Sequence, residues 1–286
     1  EKTKLFDRDA ALEVVRADPR PDCPEIPAEV IPQMAFKNTK WAPDGSGFAV
    51  VFSNEPHHKQ TGVHFKLLMR ANRDGTGLRF VGPFGHHPNW LADGSGIFAF
   101  HGERHLSLWR DGMPETTLAR PPFEGHPAVS TDLRFLAADG YDEPARDQAS
   151  VALVDLRTGA CEIALTTPYP PAPWQTGHPN GTIGHIHPVW SRDGSFIACS
   201  KYRSWNELEL YTINVQTKEK KRIYAGKNEK LYPQDWSPDS RQILSHVIFA
   251  TPETTKEELY LISLDGTRRK ILDLGLYSRG MKFSPN

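Results

Sequence analysis

Trp190-Ser-Arg-Asp-Gly-Ser-Phe-Ile-Ala-Cys199 sets an aromatic anchor, an Asp-Gly pair and an apolar run in that order. Asp and Gly tolerate the positive φ that a two-residue hairpin turn demands, and the run behind them has the length and composition of a strand. The order recurs as Trp41-Ala-Pro-Asp-Gly45, Trp90-Leu-Ala-Asp-Gly94, Val129-Ser-Thr-Asp132, Trp236-Ser-Pro-Asp-Ser240 and Phe283-Ser-Pro-Asn286. Successive anchors are 49, 39, 61, 46 and 47 positions apart, a period at which one repeat builds one four-stranded propeller blade. Apolar runs at 48–52, 97–100, 135–138, 196–199 and 243–244 follow the turns. Third strands are clearest at 208–215 and 259–264, and the Asp265-Gly266 turn leads to a fourth at 268–272.

These repeats predict an all-β chain, a β-propeller of four-stranded blades, with six repeats visible and seven if the chain is incomplete. Residues 1–286 are read as one domain, with an inserted loop at 166–184. No segment carries a convincing helical period. Residues 4–16 are expected to supply the third and fourth strands of a blade and 280–286 a first strand, so that joining the ends closes the ring. The chain opens on Glu1 with no charged-then-apolar leader behind it, as expected where a leader has been removed or the numbering starts inside a longer chain.

Composition removes several function classes. Lys and Arg number 34 against 35 Asp and Glu, a net charge of -1, so there is no basic surplus to hold a nucleic-acid backbone. Hydrophobic residues at 38% and charged residues at 24% suit a packed core. No run of 18 apolar residues occurs, so no membrane partner is expected. Cys23, Cys161 and Cys199 lack any CxxC spacing and are read as unpaired small hydrophobes, and the compartment is left unassigned. Neither a Gly-x-Ser-x-Gly elbow nor a GxGxxG loop is present, which lowers the weight of serine-hydrolase and nucleotide chemistry.

Histidines become legible once the repeats are aligned. His87-Pro88, His126-Pro127 and His187-Pro188 each place the imidazole three residues before an anchor. A propeller would bring these equivalent positions together near its axis. A strand-start turn explains Pro but does not require imidazole. His185, two residues before His187, falls on the same side of an extended segment, so His126, His185 and His187 form an expected three-imidazole site for a divalent cation. The inserted loop offers Gln175 and His178 as further contacts. Histidines 57, 58, 64, 101, 105 and 246 are expected at the same face, with Lys59, Arg104, Lys201 and Arg203 adding positive charge that favours an anionic ligand. His87, one blade from His126, is the candidate general base, and Lys201 and Arg203 are further candidates for catalysis. If the substrate is a uronic acid, such a centre has a defined route. A cation on its C6 carboxylate acidifies the C5 proton, a His or Lys removes that proton, and the C4 glycosidic oxygen departs by β-elimination.

The Trp-Ser-x-Asp-Gly repeats resemble PD40 or TolB-type propeller repeats across nearly the whole chain. Gly125-His-Pro-Ala-Val-Ser-Thr-Asp132 followed by His185-Ile-His-Pro-Val-Trp-Ser-Arg-Asp-Gly194 resembles, more narrowly, the oligogalacturonate lyases. That resemblance implies seven blades, a manganese ion held by three His and one Gln, and His126, His185 and His187 as ligands. The family's Gln falls at Thr182 here, so Gln175 in the inserted loop is the expected substitute, with a water molecule as the alternative. Manganese is the expected metal, with zinc, nickel and calcium also compatible, and an anionic oligosaccharide is the expected partner. The contrasting expectation is a non-catalytic TolB-like propeller that binds a protein or peptide.

Overall fold

The computed structural model describes residues 7–19, 23, 25–54, 65–83, 86–91, 93–101, 105–111, 113–120, 126–141, 148–168, 186–204, 207–250, 255–274 and 283. They fall into two compact units divided between Arg120 and Pro121.

The first unit opens with helix α1 (Arg8–Ala17) and a short 3-10 turn at Ile31–Gln33. Strands β1 (Ala35–Trp41), β2 (Gly47–Ser53), β3 (Lys66–Asn72) and β4 (Arg79–Pro83) form one sheet in chain order. Strands β5 (His86–Trp90), β6 (Ile97–His101), β7 (His105–Trp109) and β8 (Thr116–Ala119) form a second. In the other unit, β9 (Pro127–Val129), β10 (Phe135–Tyr141), β11 (Gln148–Asp155) and β12 (Cys161–Pro168) make a third sheet. A fourth comprises β13 (Val189–Trp190), β14 (Phe196–Ser204), β15 (Glu207–Asn214) and β16 (Lys220–Tyr224). A fifth comprises β17 (Glu229–Trp236), β18 (Gln242–Ala250), β19 (Thr255–Ser263) and β20 (Arg268–Leu274), joined to the fourth by one parallel pairing of Leu208 with Lys230. Pairing within each sheet is antiparallel, so the described residues show five blade-type sheets, each with one of the first five anchors at the end of its first strand.

The amino-terminal segment corrects the expectation of blade strands. Asp7 caps α1 by accepting the Asp9 and Ala10 amides, and Ala11, Leu12 and Val15 form a buried stripe at helical spacing. That stripe packs on Val50, Phe52, Leu67, Met69 and Phe80 of the first sheet. A short amphipathic helix with its cap was therefore read as alternation.

The turns are also longer than the two residues expected. Ala42, Leu91, Ser130, Ser191 and Ser237 each donate their amide to a carbonyl five residues on, and the residue three further along donates back to each. A left-handed residue closes each turn: Gly45, Gly94 and Gly194, with Leu133 and Ser240 taking that conformation in the third and fifth sheets. The motif Ser-x-Asp has a local cause. Ser130, Ser191 and Ser237 each donate a hydroxyl hydrogen bond of 2.6 Å to the Asp two residues on, and each accepts an amide from the following strand. The Ser130 and Ser237 hydroxyls hold the Asp132 and Asp239 carboxyls below the usual carboxylate value.

Anchors join neighbouring sheets. Trp90 Nε1 donates to the Lys40 carbonyl, Trp190 Nε1 to Ala128 and Trp236 Nε1 to Val189. Each acceptor is the residue just before the preceding anchor, so one indole fixes both the packing and the register of a sheet against its neighbour.

Glu258, 3% exposed on β19, accepts Lys256 Nζ at 2.5 Å, Lys270 Nζ at 2.6 Å and the Tyr260 hydroxyl at 2.6 Å. Burial alone would raise its pKa, but these three donors outweigh that and hold it at about 2. A depressed carboxylate stabilises the fold above its ordinary value of 4.5 and loses that contribution as pH falls towards about 2. Glu258→Gln is therefore expected to lower the melting temperature at neutral pH by the equivalent of about 1 kcal/mol, the exposed lysines screening the attraction. The deficit should shrink on acidification through that window, as differential scanning calorimetry across pH would record.

Candidate functional site

Asp139 organises the candidate site. It lies on β10 at 1% exposure, one step beyond the Ala138–Pro127 pairing, and so stands level with His126 at the start of the third sheet. Its Oδ1 accepts the His126 amide, and its Oδ2 accepts the amides of Ile186 at 2.8 Å and His187 at 3.2 Å. A buried carboxylate is costly unless its lone pairs are filled, and here the chain fills them with backbone donors from two sheets. One side chain thus ties the segment before β9 to the segment before β13.

His187 bears the consequence in its backbone. Its φ is 43°, left-handed for a non-glycine residue that also precedes Pro188, whereas residues before proline favour extended geometry. Such a conformation costs on the order of 1–3 kcal/mol and persists where surrounding contacts over-determine it. The bond from the His187 amide and the neighbouring one from Ile186, both to Asp139 Oδ2, supply that constraint. The result is a pair of imidazoles from separate sheets, with His126 and His187 ring centroids 4.0 Å apart and the planes 31° off parallel.

Neutral imidazoles are ligands that borderline divalent cations take, and two of them stand together here. Two imidazoles are fixed by their backbones. His126 Nδ1 also stands 3.5 Å from Asp139 Oδ1, so a proton on Nδ1 would face the carboxylate and leave Nε2 for a ligand. No group of three or more His, Cys, Asp or Glu gathers for a metal among the described residues. His185 and Gln175, the other two expected ligands, lie outside the described residues, as does His178.

The remaining expected residues are distributed. His87 lies on β5 in the first unit, with its side chain outside the described residues. Lys201 on β14 sets its ammonium 5.1 Å from the Tyr211 ring centroid, and Arg203 Nε stands 3.6 Å from Glu207 Oε2. Of the candidates, the structure brings His126 and His187 together, while Lys201 and Arg203 take Tyr211 and Glu207 as neighbours. His246, expected at a strand end on the working face, is instead buried within β18.

Two residues of the site were missed in the sequence. Asp139 interrupts the apolar run Phe135-Leu-Ala-Ala-Asp139 at a buried position, and an ionisable residue there was the available signal. Tyr232 presents its ring to His187 at 5.3 Å and 81°. Tyr232-Pro233 is the fifth sheet's counterpart of His-Pro. It sits one residue further from its Trp because the register shifts between Pro233 and Asp235.

The fold resembles that of a TolB-like structure from Agrobacterium tumefaciens, at 16% identity over 84% of this chain and 82% of that one, TM-score 0.57. It is similar to an oligogalacturonate lyase solved in complex with manganese, at 14% identity over 87% of this chain and 69% of that one, TM-score 0.59. An uncomplexed acylaminoacyl peptidase from Pyrococcus horikoshii gives a TM-score of 0.56 at 14% identity, over 84% of this chain and 39% of that one. No family profile and no curated protein matches the chain. These likenesses show a propeller-type all-β fold.

Proposed function

We propose that the chain is a metal-dependent lyase that cleaves short uronic-acid saccharides by β-elimination, with His126 and His187 in its metal site. The observation that carries this reading is the 4.0 Å approach of those two rings beneath one buried carboxylate. The likeness to an oligogalacturonate lyase holding manganese supports it. His126 and His187, joined by His185 and with Gln175 as a fourth donor, would hold a divalent cation, manganese first. When bound, that cation withdraws charge from the substrate carboxylate and acidifies the adjacent C–H.

The chain's own residues do the rest. Asp139 keeps both imidazoles in place before substrate arrives, so little reorganisation is needed during reaction. His87 is proposed as the base that takes the C5 proton while the C4 oxygen leaves, with Lys201 and Arg203 contributing positive charge for the anionic saccharide. His126→Ala and His187→Ala are each expected to lose bound manganese by elemental analysis while circular dichroism stays unchanged. His87→Ala should keep the metal and lose turnover. Incubation with short galacturonides and manganese should generate the ultraviolet absorbance of an unsaturated uronide. Cleavage without that absorbance would point to hydrolysis, and no cleavage would remove the reading.

A second reading is favoured by the comparable likeness to the TolB-like structure. A scaffold that binds a protein or peptide would remain metal-free, and its His126→Ala and His187→Ala variants would bind the partner as the wild type does.

A further inference from the structure

At one level of the second unit, each second strand carries a polar residue directed at the start of the following sheet or at its own first strand. Asp139 on β10 reaches the Ile186 and His187 amides. Ser200 on β14 donates its hydroxyl to the Leu231 carbonyl at 2.5 Å. His246 on β18 pairs directly with Tyr232 on β17. Its ring centroid is 6.3 Å from that of Tyr232, and its Nε2 is 2.8 Å from Glu257 Oε2 on β19. The His246 side chain is 5% exposed and that of Glu257 13%.

A buried imidazole paired with a half-buried carboxylate is an expensive way to pack a sheet. An apolar pair would pack this register at lower cost, and the pair's position shows what it does. Glu257 fixes the His246 ring, His246 backs Tyr232, and Tyr232 meets His187 at 81°. His187 therefore has two ring neighbours, His126 at 4.0 Å and Tyr232 at 5.3 Å between centroids.

We propose that Tyr232, backed by the His246–Glu257 pair, is the positioning residue that orients the His187 imidazole for its ligand. The assignment rests on the metal-site reading above for its purpose, but its geometry stands on ring contacts alone. Tyr232 acts through its ring, so Tyr232→Phe preserves the function and Tyr232→Leu removes it. Glu257→Gln weakens the support from behind and has the same direction with a smaller effect.

Two measurements on the full chain test this. In the first, manganese affinity is measured by titration of the chelator-treated protein. Supporting groups behind a metal ligand are worth about tenfold or more, so Tyr232→Leu should weaken binding by at least that factor while Tyr232→Phe stays within about threefold of wild type. In the second, the metal-free protein is treated with diethyl pyrocarbonate and modified histidines are mapped by mass spectrometry. His187 should react several-fold faster in Tyr232→Leu, with Tyr232→Phe at the wild-type rate and His105, in the other unit, unchanged as the control for general loosening. A wild-type chain that takes up no manganese would overturn the metal reading and leave the modification rates to decide the positioning. Equal affinity and equal His187 reactivity in wild type and Tyr232→Leu would overturn the positioning itself.

Discussion

Asp139→Ala is expected to be among the most damaging single substitutions in the second unit, lowering stability by about 3 kcal/mol or more in chemical denaturation. Three backbone amides, of His126, Ile186 and His187, lose their acceptor at once, and each buried donor left unsatisfied costs about 1–3 kcal/mol. Relaxation of the left-handed His187 backbone recovers part of that loss. Relaxation also separates the imidazoles, so metal affinity should fall further than stability does. Asp139→Asn sharpens the prediction. An amide side chain keeps one acceptor oxygen and turns its NH2 group on the donors at the other position. It should retain the fold at lower stability and still lose the imidazole pair. An Asn variant with wild-type affinity for manganese would show that the carboxylate does not organise the site.

Trp236→Ala comes second, with an expected cost of about 3–5 kcal/mol. Its side chain is fully buried among Ala198, Leu210, Ile223, Leu231 and Ile243, and its Nε1 bond to the Val189 carbonyl holds the fifth sheet to the fourth. Trp236→Phe keeps most of the volume and loses the hydrogen bond, so about 1–2 kcal/mol is expected. Trp41 supplies an internal control. It heads the same motif but is 49% exposed and meets Phe48 with the rings tilted at 44°, so its truncation should cost less than half as much. Urea unfolding of the three variants measures all these values. Equal costs at Trp41 and Trp236 would show that the anchor acts only within its own sheet.

Much of this architecture is legible in the sequence because it is local. The anchor, the Asp and the left-handed residue lie within five positions, and the bonds that shape the turn close inside it or onto the next strand. The five sheets follow from that repetition. Helix α1 was illegible as a helix because its buried stripe is only Ala11, Leu12 and Val15, and in ten residues that passes for alternation. The imidazole pair could be expected from register, since His126 and His187 occupy the same place in successive repeats. Asp139 could not be identified in the same way. Its partners are 13, 47 and 48 positions away, and only the fold brings a strand interior next to the start of the following sheet. Tyr232 was hidden by the one-residue register shift that moves it out of line with the His-Pro sequences.

The central claim is that two sheets present His126 and His187 jointly to one divalent cation. Diffraction data collected at the manganese absorption edge from crystals grown with manganese test it most directly. The account predicts a single anomalous peak within coordination distance of both imidazoles, with Asp139 still bound to the amides behind them. A peak elsewhere, or rings turned apart with no peak between them, would contradict it.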